Sequence, residues 1–179
     1  MITTKDEMSE VALSLFKENG FENTSIQKIC ETLNVTRGSF YHHFESKNEL
    51  LLYWFSQNTH QFIQFDRTLS SPKVILKKYI LDYARLITSI GKDLMYYIFM
   101  AELELQGEHF YIYYGERQYY EDLVDQAKKN GEITSIAPTE QLMNMFSAAF
   151  LGTVVLWRFH TEELNLIDQV EQIFESIYR

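Results

Sequence analysis

The stretch SIQKICETLNVTRGSFYHHF, Ser25 to Phe44, decides the architecture of this chain. Ile26, Ile29, Cys30 and Leu33 recur at three- and four-residue spacing, which marks one inward helical face. Asn34 stands where a helix end wants a left-handed residue, a conformation Asn tolerates second only to Gly. A second, short helix is expected from about Thr36 to His42, with Phe40 and Phe44 four residues apart on its buried face. Two helices joined by so short a turn form a helix-turn-helix, expected over about residues 25–44. Gly38 stands out within it, because glycine costs roughly 1 kcal/mol against alanine inside a helix. Its position implies that something approaches the backbone closely.

In a helix-turn-helix the second helix enters the DNA major groove, its N-terminal residues nearest the base edges. Gly38 would let the backbone lie against the duplex, Arg37 has the fork to reach a guanine, and Ser39 donates or accepts. Thr24 and Ser25, opening the preceding helix, are expected to offer hydroxyls and backbone N–H groups to a phosphate.

Helical periodicity continues on both sides. Met8, Val11, Ala12, Leu15 and Phe16 make one stripe, with a Thr4–Glu7 capping box before it and Gly20 after it. Thr24 with Gln27, and Ser46 with Glu49, repeat the capping-box spacing. Ser70, Ser71 and Pro72 mark a new helix start, and "VILKKYILDYARLITSI" after it is apolar on nearly all sides, as in a central buried helix. Gly91 and Gly107 bracket a further helix, and another ends near Gly131 with Lys128 and Lys129 at its negative end. Pro138 precedes the longest uncharged segment, between Glu140 and Arg158. That segment is shorter than the about 20 residues a membrane span needs, so it reads as a buried helix and no membrane partner is expected. The final helix carries Ile167, Val170, Phe174 and Ile177. The fold class is all-α, with roughly nine helices and no strand.

Composition narrows the function. The chain has 179 residues, a 46% apolar and a 23% charged fraction, only two prolines and seven glycines, and a formal charge of −9. Such a charge disfavours nonspecific nucleic-acid binding. Residues 1 to 56 hold five Lys or Arg against eight Asp or Glu, whereas Thr24 to Lys47 is slightly basic through Lys28, Arg37 and Lys47. DNA binding would therefore depend on a defined operator and oriented helix N-termini. Cys30 is the single cysteine, which precludes an internal disulfide or multi-cysteine zinc site and fits a cytoplasmic setting. The N-terminus lacks the apolar run of a signal peptide. No zinc-protease, di-iron, phosphate-loop or nucleophile-elbow motif occurs, so no enzyme, metal or cofactor is expected.

The residues from Phe21 to Leu51 resemble the tetracycline-repressor (TetR) type of regulator. The likeness runs through Phe21, the Thr24–Ser25 helix start, Ile29, "NVTRGSFYHHF" from Asn34 to Phe44, Lys47, and Leu50–Leu51. Asn34 replaces the usual turn glycine and Cys30 a usual alanine. The resemblance implies an N-terminal three-helix DNA-binding domain, 1–46, and a C-terminal ligand-binding and dimerisation domain, 47–179. It implies phosphate contacts from Tyr41, His43 and Lys47, and bases facing Arg37, Ser39 and His42. It also implies a repressor that a small effector releases from a double-stranded, palindromic operator. A helical ligand- or partner-binding module with a vestigial helix-turn-helix is the alternative.

A homodimer is expected through the last two long helices, with Leu142, Met145, Ala149, Gly152, Thr153, Leu156, Val170 and Phe174 at the seam. Aromatics make up 15% of the chain, with 12 Tyr and 13 Phe. Tyrosines are wasteful core fillers, because each buried hydroxyl needs a partner. An effector pocket is expected among Tyr96, Phe99, Met100, Glu102, Tyr113, Tyr119, Met143, Phe146 and Phe150. It would take a small lipophilic or aromatic effector, one that carries positive charge if Glu102 points inward.

Overall fold

The computed structural model describes residues 3–105, 117–159 and 164–179. Among them are nine α-helices and no strand: α1 (Lys5–Asn19), α2 (Ile26–Leu33), α3 (Arg37–His43), α4 (Lys47–Phe62), α5 (Pro72–Ile90), α6 (Lys92–Leu105), α7 (Arg117–Lys129), α8 (Thr139–Phe159) and α9 (Leu166–Ile177). The helices group into two compact units. One holds Met1–His60 with Asp93–Gly107, the other Gln61–Lys92 with Glu108–Arg179. The division differs from a boundary at residue 46 for a physical reason. Leu50, Leu51, Trp54 and Phe55 are buried, and the first half of α4 is bonded to α1, Tyr53 Oη to Asp6 at 2.6 Å and Trp54 Nε1 to Glu10 at 3.0 Å.

In the first unit α1 begins with the capping box the sequence predicts: Thr4 Oγ1 accepts from Glu7 N, and the Glu7 carboxylate accepts from Thr4 N. Gly20 ends it at φ 85°, a conformation open to glycine at no steric cost. The cap of α2 is a correction. Ser25, one residue after the expected Thr24, is the N-cap, and its Oγ accepts from Lys28 N. At α4 the box is split. Ser46 Oγ accepts from Glu49 N, but the Glu49 carboxylate takes the amide of Glu45 instead of Ser46.

The second unit is built on α5, which packs against α7 and α9, while α8 packs on α7 and α9. Ile75, Leu76, Tyr79, Ile80, Tyr83, Ala84 and Ile87 of α5 are buried. The helix is nevertheless one-sided, with Val74, Arg85 and Ser89 exposed, where the apolar pattern suggested burial all round. Glu132 closes its N-terminus, accepting from Ser71 Oγ at 2.6 Å and Lys73 N at 3.0 Å. Phe65 stacks on Tyr79 with centroids 4.0 Å apart, and Phe146 meets both Phe174 and Tyr178. The buried hydroxyls of Tyr120 and Tyr178 lie 3.1 Å apart, so each of these core tyrosines has the other as a partner.

At 21 residues α8 is long and apolar enough to cross a membrane, by length and composition alone. Leu142, Met143, Phe146, Phe150, Val154 and Trp157 are instead buried within the unit, as in the core helix of a folded domain. Its other side is apolar too. Met145, Ala148, Gly152, Leu156 and Phe159 are exposed and recur every three or four residues.

Candidate nucleic-acid interface

The turn between α2 and α3 is fixed by Asn34, which adopts φ 53°, ψ 44°. Its left-handed geometry lets the amides of Asn34 and Val35 fold back onto Glu31 O and Cys30 O, satisfying carbonyls the helix end leaves open. Thr36 then caps α3, its Oγ1 accepting from Ser39 N at 3.2 Å. Two caps and three residues thus set the angle between the helices.

α3 divides cleanly. Phe40 and Phe44 are buried, their rings 6.0 Å apart, and each contributes about 1.5–3 kcal/mol of burial. Tyr53 meets Phe44 edge-on, and the Lys5 ammonium lies 5.0 Å from the Phe44 centroid. On the other side Arg37, Gly38, Tyr41 and His42 are exposed, while Ser39 and His43 are half-buried. An anchored helix therefore presents a guanidinium, a bare backbone patch, a phenol and an imidazole to the outside.

Three of the expected contact residues behave differently. Thr24 is only 1% exposed, and its Oγ1 donates to Leu15 O and Gly20 O; it locks the end of α1 and offers no hydroxyl to a phosphate. Ser25 keeps the exposed position at the start of α2. Lys47 turns inward: Nζ donates to Phe21 O at 2.8 Å and Thr24 O at 2.9 Å, and sits 4.5 Å from the Phe21 ring centroid. Burial pushes its ammonium below the ordinary lysine range, with the Glu22 charge opposing. His43 Nε2 bonds Thr3 O at 2.9 Å, so one ring nitrogen is committed to the N-terminal segment. Cys30 is buried beneath α2, and that burial raises its thiol while the nearby Arg37 charge opposes.

Sequence reasoning missed the clasps behind α3: Tyr53 on Asp6, Trp54 on Glu10, and Lys5 over Phe44 and Tyr53. The signal available was general, since Trp and Tyr at buried positions require a polar partner. The Asp6 bond, helped by burial, raises the Tyr53 phenol above its ordinary value.

The expected pocket residues are divided between the two units. Tyr96, Phe99, Met100 and Glu102 belong to the first unit, and Tyr119, Met143, Phe146 and Phe150 to the second. Tyr96 and Met100 are exposed, Phe99 is half-buried, and Glu102 is buried. Met143, Phe146 and Phe150 are core residues of α8. Tyr119 meets Phe65 edge-on and lies under the Arg67 guanidinium. Tyr113 lies outside the described residues.

The expected dimer seam is corrected in four positions. Leu142, Thr153, Val170 and Phe174 are buried within the protomer and are unavailable to a second chain. Met145, Gly152 and Leu156 are exposed and Ala149 is half-exposed.

The fold presents a helix-turn-helix, the class of motif that docks a helix in the DNA major groove. The sequence model for the family described as bacterial regulatory proteins, tetR family, matches residues 9–53. An HTH-type transcriptional regulator of Staphylococcus aureus is 28% identical over 183 residues, spanning 96% of both chains. The uncharacterized HTH-type regulator YerO of Bacillus subtilis is 37% identical over 82 residues, which are 42% of this chain and 28% of that protein's length. Among solved structures, the TetR-family repressor FadR of Thermus thermophilus, in complex with lauroyl-CoA, superposes with a TM-score of 0.68 at 16% identity, covering 97% of this chain and 93% of that one. The similarity is thus to the tetR family of bacterial regulatory proteins, carried in sequence by residues 9–53.

Proposed function

We propose that this protein is a ligand-responsive transcriptional repressor that binds a double-stranded, palindromic operator as a homodimer. The observation that carries the reading is the outer side of α3, where Arg37, Gly38, Tyr41 and His42 are exposed over buried Phe40 and Phe44. Arg37 reads a guanine edge, while Tyr41 and the exposed start of α2 at Ser25 meet phosphates. Ser39 and His42 complete the base-facing set. A vestigial motif would have no reason to keep an anchored helix, a bare glycine and an arginine on one face.

The dimer reading is supported by the exposed apolar side of α8. Gly152 strengthens it: among the described residues a Cβ there would meet no atom within 4 Å, so none of them calls for glycine. A second copy packed helix against helix does, and two-fold symmetry then spaces two α3 helices for a palindrome.

The effector is a small lipophilic or aromatic molecule. The T. thermophilus protein of similar fold holds lauroyl-CoA, which supports an effector with an apolar body. A cationic aromatic is the finer option, with Glu102 as its counter-charge. An inducer needs only to bind the DNA-competent state less well than the other.

Selection of duplexes from a random library by the purified protein, followed by footprinting, tests the reading. The expected result is protection of a palindrome with half-site centres about one helical turn apart or slightly more. Absence of any enriched sequence would overturn it. Thermal-shift screening with long-chain acyl thioesters and cationic aromatics tests the effector. Cationic aromatics should stabilise wild type more than Glu102→Gln; equal stabilisation removes the cationic option.

A further inference from the structure

The peptide group between Thr3 and Thr4, just ahead of α1, is bonded at both ends. Its N–H, on Thr4, donates to the Glu7 carboxylate at 3.0 Å, the return bond of the capping box. Its carbonyl, Thr3 O, lies 2.9 Å from Nε2 of His43, the last residue of α3. A peptide is planar, so Glu7 fixes the plane and the plane aims its oxygen at the imidazole. A carbonyl only accepts, and Nε2 therefore carries the proton in this contact. Thr3 is buried, which strengthens the bond.

The first two residues of α1 continue the hold. Lys5 Nζ lies 5.0 Å from the Phe44 centroid and 5.3 Å from that of Tyr53, within reach of cation–π attraction. Asp6 accepts from Tyr53 Oη at 2.6 Å, and Tyr53 meets Phe44 edge-on. Thr3, Lys5 and Asp6 thus fasten the start of α1 to the rear of α3 and to α4, all within the first unit. The front of α3 is held separately, by the Asn34 turn and the Thr36 cap. With seven residues, α3 is about 10 Å long. Phe40 and Phe44 hold it by apolar contact, which has no direction, whereas a hydrogen bond fixes an angle. Without the rear hold α3 would pivot on its front cap, and the exposed Tyr41 and His42 in its second turn would move furthest.

We propose that His43 is a positioning residue for DNA binding: it docks on the Thr3–Thr4 peptide, and this clasp sets the tilt of α3 in the groove. The proposal rests on the DNA-binding reading above and departs from the phosphate contact that the resemblance implies for His43. In a neutral ring that donates through Nε2, Nδ1 keeps a lone pair and has no proton for a phosphate oxygen. The clasp and a phosphate contact therefore compete for one donor. Phosphate contacts supply the sequence-independent part of binding, while the tilt of the helix decides which base edges are reached. Loss of the clasp costs discrimination between sequences more than general affinity.

A duplex enriched by wild-type protein from a random library and an unrelated duplex of equal length serve as probes, and the ratio of the two affinities is read. His43→Leu should lower that ratio about tenfold, with the unrelated duplex changed by less than about twofold. His43→Gln, whose amide can still donate to Thr3 O, should recover the ratio to within about threefold of wild type. Glu7→Ala, which frees the peptide plane, should lower the ratio as well. The variant carrying both His43→Leu and Glu7→Ala should fall no further than the lower single within about twofold, the sign of residues acting as one unit. Equal losses on both duplexes in His43→Leu make His43 an ordinary phosphate contact and overturn the proposal, as does an unchanged ratio. Multiplicative losses in the double variant overturn the part played by the peptide. Imidazole nitrogen spectra of wild type at neutral pH give a second reading: His43 Nδ1 should stay unprotonated when the enriched duplex is added, and protonation of both ring nitrogens overturns the proposal. If His43→Leu fails to fold, these spectra decide alone. A library from which wild type enriches nothing overturns the DNA-binding reading instead. The clasp is then judged by amide hydrogen exchange at Phe44, the C-cap of α3, in Glu7→Ala: faster exchange supports it and unchanged exchange overturns it.

Discussion

A methyl group on Gly38 would lie 3.6 Å from Thr36 Oγ1, its nearest neighbour. That is ordinary van der Waals contact, and the backbone there is right-handed helix. Among the described residues nothing therefore requires glycine at the second position of α3. On the proposed DNA-binding function the requirement comes from outside, from a duplex that meets the backbone where a side chain would stand.

Gly38→Ala separates folding from binding. The variant should be as stable as wild type or up to about 1 kcal/mol more stable, because alanine is the better helix former. Its affinity for the selected operator should fall tenfold or more, equivalent to about 1.4 kcal/mol. Thermal melts and DNA titrations on the same preparation check this. Unchanged affinity would mean that α3 does not approach DNA through its N-terminal turn.

Arg37→Ala should cost about 1–3 kcal/mol on the correct operator and relax preference at one base pair in each half-site. Arg37 is exposed, so the folded state should be little affected. Competition against operators substituted at single positions reads the change. A uniform loss across all sequences would reassign Arg37 to a phosphate.

Acid sensitivity should trace to Glu132. Burial alone would raise its carboxyl, but bonds from Ser71, Asn130 and the Lys73 amide, with the Lys73 charge, hold it below its ordinary value of 4.5. A carboxyl depressed in the folded state stabilises above its unfolded pKa and loses that contribution as pH falls through the folded value. Wild type should accordingly lose stability below about pH 4.5. Glu132→Gln should be about 1 kcal/mol less stable at pH 7, from the weakened N-terminus of α5. Its stability should also fall less steeply with acid. Melting temperatures of both proteins from pH 7 to pH 3 distinguish the two; parallel curves would acquit Glu132.

The helix-turn-helix was legible because its determinants are local. Asn34 at a helix end, Phe40 and Phe44 four apart, and Thr4 with Glu7 each act within one or two turns of chain. Thr24 and Ser25 show where local reasoning stops. Both hydroxyls are competent caps, and the choice fell to Ser25 because the end of α1 claims Thr24 through Leu15 O and Gly20 O. Lys47 is a similar case. Sequence supplies the charge, but its direction depends on Phe21 and Thr24, more than twenty residues away. Leu142 and Thr153 of α8 failed for another reason. A helix apolar on two sides carries no polar marker to separate the face in its own core from the face left open. The three- and four-residue spacing of Leu142, Met145, Ala149 and Thr153 runs across that divide.

The outer face of α8 yields the last prediction. Met145, Leu156 and Phe159 are 49%, 52% and 75% exposed, and with Ala148 and Gly152 they line one side of a 21-residue helix. An apolar stripe of that length on a free surface invites association. Leu156→Glu would bring a carboxylate into the seam of a dimer without disturbing the protomer, whose core residues on α8 lie on the other side. An unpaired charge in such a seam should cost roughly 3 kcal/mol or more, weakening the dimer over a hundredfold. Sedimentation at micromolar concentration should find wild type dimeric and Leu156→Glu monomeric, with helix content retained. Operator affinity should fall with the dimer, since one α3 helix reads only half a palindrome. Gly152→Leu, which fills the open space over the helix, should act in the same direction. A wild-type monomer, or a dimer indifferent to both substitutions, would move the two-fold axis away from α8.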